Sequence, residues 1–109
     1  MVAARLGQAE NSVRYWKDVI ALNPWNWEYH DELAKIYAER REWTLAAEQC
    51  AEALKLNLAA WDTRKLLVKC LLHLGKKNEA QKEFEILLGF EPPDPEALRR
   101  WYAEESSER

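Results

Sequence analysis

The stretch that decides the fold runs from Asn23 to Asn57 and reads NPWNWEYHDELAKIYAERREWTLAAEQCAEALKLN. Its order of large, small and turn residues returns 34 positions further along the chain. The matched positions are Asn23 with Asn57, Trp27 with Trp61, Leu33 with Leu67 and Trp101, Tyr37 with Leu71, Ala46 with Ala80, and Trp16 with Cys50 and Phe84. A fixed period of this length is typical of stacked helix pairs, because each unit buries its apolar side against the next. The spacing therefore predicts an all-α solenoid.

Composition limits the size and class of the protein. A chain of 109 residues supports one modest core, and 48% hydrophobic with 32% charged residues suits a helical globular domain. The formal net charge of -3 lacks the basic excess that nucleic-acid-binding proteins usually carry. No apolar run reaches the roughly 18 residues of a membrane span, and the N-terminal residues do not resemble a signal peptide. We expect a soluble protein, cytoplasmic rather than secreted, with neither nucleic acid nor membrane as partner.

The register divides the chain into one domain of four parts. These are a half repeat over residues 1–22, a first full repeat over 23–57, a second over 58–92, and a closing helix with its tail over 93–109. We expect about six helices, at about 8–22, 26–40, 42–55, 59–74, 78–88 and 95–105. Gly7 takes the turn position that Arg41 and Gly75 take later, which predicts a turn between a preceding helical segment and the first of these helices. A solenoid that starts inside a helix pair indicates either a true N-terminus with a degenerate first helix or a segment of a longer repeat protein, and we favour the second.

Turn chemistry and apolar spacing support these helices. Asn23-Pro24 ends the first, because a proline disfavours helical geometry in the residue before it, while Asp94 and Pro95 suit a helix start. The positions predicted to face inward are Val13, Trp16, Val19, Ile20 and Leu22, then Trp27, His30, Leu33, Ala34 and Tyr37, then Ala46, Ala47, Cys50, Ala53, Leu54 and Leu56. Small residues at Ala46, Ala53 and Ala80 allow helices to approach closely.

These motifs resemble the tetratricopeptide repeat (TPR) family. The residues that fit its pattern are Trp27, Leu33-Ala34, Tyr37, Ala46, Ala53 and Asn57 in the first repeat, and Leu67, Leu71, Gly75, Ala80, Phe84 and Pro92 in the second. Departures are Arg41 in place of glycine, Cys50 in place of an aromatic residue, Leu58 in place of proline and Leu87 in place of alanine. The resemblance covers about residues 8–105. It implies a right-handed superhelix of antiparallel helix pairs, whose first helices line a concave groove for a peptide.

Carried onto this chain, the resemblance implies a set of groove residues. They are Glu28, Asp31, Glu32, Lys35 and Glu39, then Asp62, Lys65, Leu66, Lys69 and His73, then Glu96, Arg99 and Arg100. The first helix of the set is acidic, whereas Lys65, Lys69, Arg99 and Arg100 form a basic end. Such a charge gradient can orient a charged partner. The alternative is that these side chains form an ordinary solvated face. Of the positions with which some family members clamp a terminal carboxylate, namely Asp31, Lys35, Leu66, Glu96 and Arg100, only Arg100 matches, so we predict no clamp of that kind.

Residues suited to catalysis or metal binding are scarce. The chain has two histidines, and glycines only at positions 7, 75 and 89, which excludes a glycine-rich phosphate loop. The sharpest signal is Cys70-Leu-Leu-His73, which places a thiol and an imidazole one helical turn apart. A closed zinc site needs two further ligands, and none lies nearby. We predict no catalytic, cofactor or metal site, and interpret Cys50 and Cys70 as reduced thiols of the core.

The leading hypothesis is a non-catalytic module that binds a peptide or partner protein. One alternative is a structural segment of a larger TPR protein, or one that self-associates through the open face of the 8–22 helix. A third hypothesis is a thiol- or metal-based site at Cys70 and His73. Of the six tryptophans, Trp25 and Trp43 fall at a turn and a helix start, so we expect at least one of them to mark an exposed contact surface.

Overall fold

A computed structural model describes the backbone of residues 2–107 and the side chains of residues 10–107. Met1, Glu108 and Arg109 lie outside the described residues, and so do the corresponding ends of the predicted half repeat and tail. The described part of the chain folds into helices only, which confirms the all-α prediction. The helices are α1 (Val2–Leu22), α2 (Trp27–Glu39), α3 (Trp43–Leu56), α4 (Trp61–His73), α5 (Lys77–Gly89) and α6 (Pro95–Ser107).

Local chemistry sets most of the helix boundaries. The Asn26 side chain caps α2 by accepting a hydrogen bond from the Glu28 amide at 3.1 Å, and Asp94 caps α6 by accepting from the Ala97 amide at 3.0 Å. The turns after α2 and α4 each contain one residue in the left-handed region, Arg41 with φ 60° and Gly75 with φ 76°. Arg41 thus adopts the backbone geometry for which glycine is the usual choice.

The predicted turn at Gly7 is wrong. Helix α1 runs without interruption from Val2 to Leu22 and carries Gly7 in its interior. A glycine within a helix costs only about 1 kcal/mol relative to alanine, which is too little by itself to end a long helix. Gly75, at the equivalent position, forms its turn without a proline or a side-chain cap beside it, so register and local residue type do not distinguish the two glycines.

The core forms along the seams between successive helices. Ala46, Cys50, Ala53 and Ala80 have no exposed surface, which fits the predicted role of small residues at close helix crossings. Large side chains fill the space beside them, including Leu33, Tyr37, Leu72, Phe84 and Leu87, all buried. Two of the positions predicted to face inward are exposed instead, Leu22 by 80% and Leu56 by 43%. Both lie at the last residue of their helices, where the neighbouring helix no longer covers them.

Buried polar side chains tie the helices to their connecting turns. His30 places Nδ1 2.8 Å from Oε1 of Gln49 and Nε2 3.0 Å from the carbonyl oxygen of Pro24, so it links α2 to α3 and to the turn before α2. Arg64 of α4 donates to Glu83 of α5 at 2.5 Å and to the Leu58 carbonyl at 3.1 Å. These side chains are buried, and their partners offset part of the cost of removing them from water.

Helix α6 packs on α4 and α5 through aromatic contacts. The rings of Phe84 and Tyr102 stack with centroids 4.3 Å apart, and Leu98 is buried. The Lys65 ammonium lies 4.9 Å from the centre of the Trp101 ring, a distance suited to a cation–π interaction. Leu98, Trp101 and Tyr102 therefore all pack against the preceding helix pair.

Candidate functional site

Contacts between helices show which side of the stack is concave. Among the residues that the structure describes, α2 contacts α4 and α4 contacts α6, whereas α1, α3 and α5 do not contact one another. Helices that touch within one layer lie closer together than helices that do not, so the stack curves toward α2, α4 and α6. The side chains predicted to line a groove belong to this inner layer.

The first cavity lies between the N-terminal halves of α2 and α4 and has a volume of about 380 Å³. It is lined by Trp27, Glu28, Asp31, Glu32, Lys35, Asn57, Ala59, Ala60, Trp61 and Asp62. Five of these, Glu28, Asp31, Glu32, Lys35 and Asp62, are among the predicted groove residues. The structure thus brings three of the four predicted acidic positions of α2 together with the first acidic position of α4, whereas Glu39 does not line this cavity.

The second cavity lies between the starts of α4 and α6 and has a volume of about 170 Å³. It is lined by Trp61, Lys65, Pro93, Asp94, Ala97 and Leu98. Its walls are largely apolar, and Trp61 is shared with the first cavity. Lys65 is the only predicted groove residue among these lining residues. The other five were not predicted as site residues: Asp94 was interpreted as part of a helix start and Trp61 as a repeat position, and nothing in the pattern singled out Pro93, Ala97 or Leu98 as part of a cavity.

The Asp31 carboxylate lines the first cavity and also joins neighbouring helices through its hydrogen bond. It is only 7% exposed, accepts a 2.6 Å hydrogen bond from the Thr63 hydroxyl, and pairs through its other oxygen with Lys35 at 3.0 Å. Lys35 also lies 3.6 Å from Glu32. The hydrogen bond with Asp31 raises the pKa of the Lys35 ammonium, as do the nearby charges of Asp31 and Glu32, while burial acts against them. Both groups of this pair are therefore already partnered in the groove.

The remaining predicted groove residues differ in exposure. Glu28, Glu32, Glu39, Asp62, Glu96, Arg99 and Arg100 are exposed, whereas Lys65, Leu66, Lys69 and His73 are half-buried. Arg99 pairs with Glu96 on its own helix at 3.2 Å, and Lys65 is held over Trp101. The expected basic end therefore has part of its charge engaged within the protein, and Leu66 packs against the core.

Three carboxylates repeat along α2, α4 and α6 at the spacing of the repeat. Glu28, Asp62 and Glu96 are each the second residue of an inner-layer helix and lie 34 positions apart. Negative charge in a first helical turn is favourable, because it faces the positive end of the helix dipole. Within residues 10–107, no ion pair or side-chain hydrogen bond involves the carboxylate of Glu28 or Asp62. Their charge is therefore available to solvent or to a ligand.

Cys70 and His73, the candidate pair for thiol or metal chemistry, contact different neighbours. The Cys70 thiol is hydrogen-bonded to that of Cys50 across α3 and α4, and both are fully buried. This hydrogen bond, followed by burial, raises the pKa of the Cys50 thiol, so Cys50 stays protonated. His73 stacks on Trp43 with ring centroids 3.9 Å apart. The described residues contain no cluster of three or more His, Cys, Asp or Glu side chains able to hold a metal ion.

The two tryptophans without a settled role have different environments. Trp25 is 70% exposed in the turn before α2, as expected for at least one of the two, and Trp43 is half-buried against His73. Trp16, Trp27, Trp61 and Trp101 pack against the core, as predicted. No helix in the described part of the chain combines the length and apolar character needed to cross a membrane.

The six helices and their contacts define an all-α, TPR-like helical repeat fold. A solved structure described as "MamA MSR-1 C2" superposes on this chain with a TM-score of 0.78 at 23% sequence identity. The match covers 96% of this chain and 60% of that one, so this chain spans well under two thirds of its length. At this level of identity the likeness defines the fold alone. No protein-family model matches the sequence, and no curated protein matches it.

Proposed function

We propose that this protein is a non-catalytic interaction module that binds a peptide, or an extended segment of a partner protein, along its inner layer. The observation that carries the proposal is the pair of cavities that share Trp61 and follow successive inner-layer helices. Concave surfaces with apolar walls and a few polar groups are the usual form of a ligand site. In this proposal residues 23–57 and 58–92 form the two full repeats, residues 1–22 a half repeat, and residues 93–109 a closing helix with its tail.

The proposed ligand is a peptide rather than a small molecule because of the shape of the surface. The second cavity, at about 170 Å³, is smaller than the roughly 300–1,000 Å³ typical of small-molecule sites, and the first, at about 380 Å³, lies near the lower end of that range. The two cavities share Trp61 and follow successive inner-layer helices, so a ligand that fills both must extend past that residue. A row of shallow sites at the repeat spacing suits a chain that places successive side chains into them.

Selection from a random peptide library, followed by NMR mapping, tests the proposal. Bound peptides should shift the backbone amide signals of α2, α4 and α6 more than those of α3 and α5. Lys65→Glu, a charge reversal at a residue that lines the second cavity, should change the affinity of the selected peptides by threefold or more. The matched control is Lys82→Glu, a charge reversal at an exposed position of α5, which should leave affinity unchanged. Shifts confined to α3 and α5, or equal effects of the two variants, would contradict groove binding.

A second candidate function is self-association, which a separate surface favours. Tyr15 is 58% exposed, and Leu22 and Trp25 are exposed still more, at or near the C-terminal half of α1. Exposed apolar groups of this size often mark a contact with another protein. Multi-angle light scattering of the wild type and of Trp25→Ser, with Leu58→Ser as an exposed control, tests this function. A mass that stays monomeric up to high concentration would exclude it.

A further inference from the structure

We infer that the groove selects an extended segment in which an apolar side chain enters the second cavity and a lysine or arginine lies in the first. This inference rests on the proposed function and adds the chemistry of the ligand. The apolar cavity defines where the segment is anchored. The charge of the neighbouring cavity determines which residue accompanies the anchor.

The anchor site follows from the walls of the second cavity. Trp61, Pro93, Ala97 and Leu98 provide apolar surface, and about 170 Å³ accommodates one aliphatic or aromatic side chain. Burying such a side chain removes apolar surface from water and so favours binding, against the cost of ordering the ligand. Lys65 and Asp94 lie at the same cavity, where Lys65 is held by Trp101 and Asp94 by the Ala97 amide. Neither charge therefore dominates the anchor site.

The charge preference follows from which groups in the first cavity are already partnered. Lys35, its only basic lining residue, is engaged by Asp31 and Glu32. The carboxylates of Glu28 and Asp62 line the same cavity, are exposed, and form no ion pair within residues 10–107. The unpaired charge of the cavity is thus negative. A cationic side chain complements it, and an acidic one is repelled.

The distance between the two cavities sets the spacing in the ligand. They belong to successive repeats, and packed helices lie roughly 8–10 Å apart. An extended chain advances about 3.3 Å per residue, so roughly three residues separate the cationic and apolar side chains. A segment with this spacing can occupy both cavities while passing over Trp61.

Fluorescence anisotropy with three synthetic nonamers tests the inference. The first carries lysine three residues from leucine, the second replaces that lysine with glutamate, and the third replaces the leucine with serine. The first peptide should bind at least tenfold more tightly than either of the others. Its affinity should also fall when salt is raised from 50 to 300 mM, because salt screens the attraction between the lysine and the exposed carboxylates of the first cavity.

Two pairs of variants separate the contributions of charge and cavity. Glu28→Gln combined with Asp62→Asn should weaken the lysine peptide about fivefold or more, whereas Glu79→Gln, a first-turn carboxylate of α5, should not. Ala97→Leu should fill the second cavity and weaken the same peptide about tenfold. Its control is Ala51→Leu, at an exposed position of α3. Thermal melting of each variant verifies that it is folded.

The outcomes distinguish this inference from the function on which it rests. If the glutamate peptide binds as tightly as the lysine peptide and Ala97→Leu weakens both, the charge preference is wrong while groove binding stands. If Ala97→Leu leaves the affinity of peptides from the unbiased selection unchanged, and these peptides shift only the amide signals of α3 and α5, groove binding itself is wrong. Binding that requires both lysine and leucine, and that both groove variants weaken, supports the inference.

Discussion

The hydroxyl group of Thr63 donates a 2.6 Å hydrogen bond to the carboxylate of Asp31 and so joins α4 to α2 across 32 residues of sequence. Thr63 has no exposed surface and Asp31 is nearly buried. Since Lys35 pairs with the second carboxylate oxygen, the two repeats are joined by a small polar network beneath the first cavity.

Removing the Thr63 hydroxyl should destabilise the protein. Thr63→Val keeps the shape of the side chain but leaves one buried oxygen of Asp31 without its donor, which costs about 1–3 kcal/mol. Urea unfolding of this variant and of Thr44→Val, an exposed threonine of α3, measures the difference. Equal unfolding free energies for the two variants would show that the hydrogen bond contributes nothing.

Replacing Arg41 with glycine should stabilise the turn after α2. Arg41 has φ 60°, a conformation that costs a residue with a side chain roughly 1–2 kcal/mol and glycine almost nothing. Because glycine also gains freedom in the unfolded chain, we expect Arg41→Gly to be about 1 kcal/mol more stable than Arg41→Ala. The alanine variant is the control, since both changes remove the same charge. Chemical denaturation that ranks alanine above glycine would contradict the strain.

The Arg64–Glu83 pair should show strong coupling. Glu83→Leu leaves the buried guanidinium of Arg64 without its carboxylate and should cost about 3 kcal/mol. Adding Arg64→Met to that variant should recover most of the loss, because no buried charge then remains unpaired. A double-mutant cycle by urea unfolding measures the coupling, and additive effects of the two changes would contradict it.

Both cysteine thiols should resist modification in the folded protein. Cys50 and Cys70 have no exposed surface, so a reagent reaches either thiol only after the fold opens. The hydrogen bond with Cys70, followed by burial, raises the pKa of Cys50, whereas the hydrogen bond with Cys50 lowers the pKa of Cys70, whose protection therefore depends on burial. Since the thiolate is the reactive form, an aromatic disulfide reagent at pH 8 should label them at least about 100-fold more slowly than in denatured protein. Urea below the unfolding midpoint should accelerate labelling. Fast labelling of the native protein would disprove the buried arrangement.

The ion pair of Lys35 should contribute stability that disappears at alkaline pH. The pKa of Lys35 is raised above 10.5 in the folded protein, chiefly by Asp31, so folding favours the charged form. Its contribution is complete below the pKa of the unfolded chain and is lost as pH rises through the folded value. The difference in unfolding free energy between wild type and Lys35→Met should therefore shrink above pH 10.5. Lys82→Met, at an exposed site of α5, should show no such trend.

The local structure was predictable from the sequence at positions where the repeat register and the residue type favour the same conformation. Asp94 caps α6, Gly75 takes the left-handed turn, and Ala46 and Ala80 lie at close crossings. At each of these positions the register and the residue type favour the same structure. Both also favoured a turn at Gly7, yet there the helix continues.

The helices that carry the predicted groove residues could be assigned from the sequence, but the cavities between them could not. The resemblance implied that Glu28, Lys35 and Asp62 share one face, and the three residues line the first cavity. Spacing within a helix cannot show that Asp31 is buried, because its partner Thr63 lies in the next repeat. The second cavity was missed for a related reason, since its walls come from α4, α6 and the segment before α6.

The contacts of this fold also bear on how the chain folds. Each described helix contacts the next helix in the sequence. The contacting pairs that are furthest apart in the sequence, α2 with α4 and α4 with α6, are separated by a single helix. Chains with such local contacts fold in microseconds to milliseconds, and helix pairs in repeat proteins can nucleate separately. The bond between Thr63 and Asp31 is one of the few that must wait until two repeats meet. It therefore belongs to the step that turns two independently formed helix pairs into one cooperative unit.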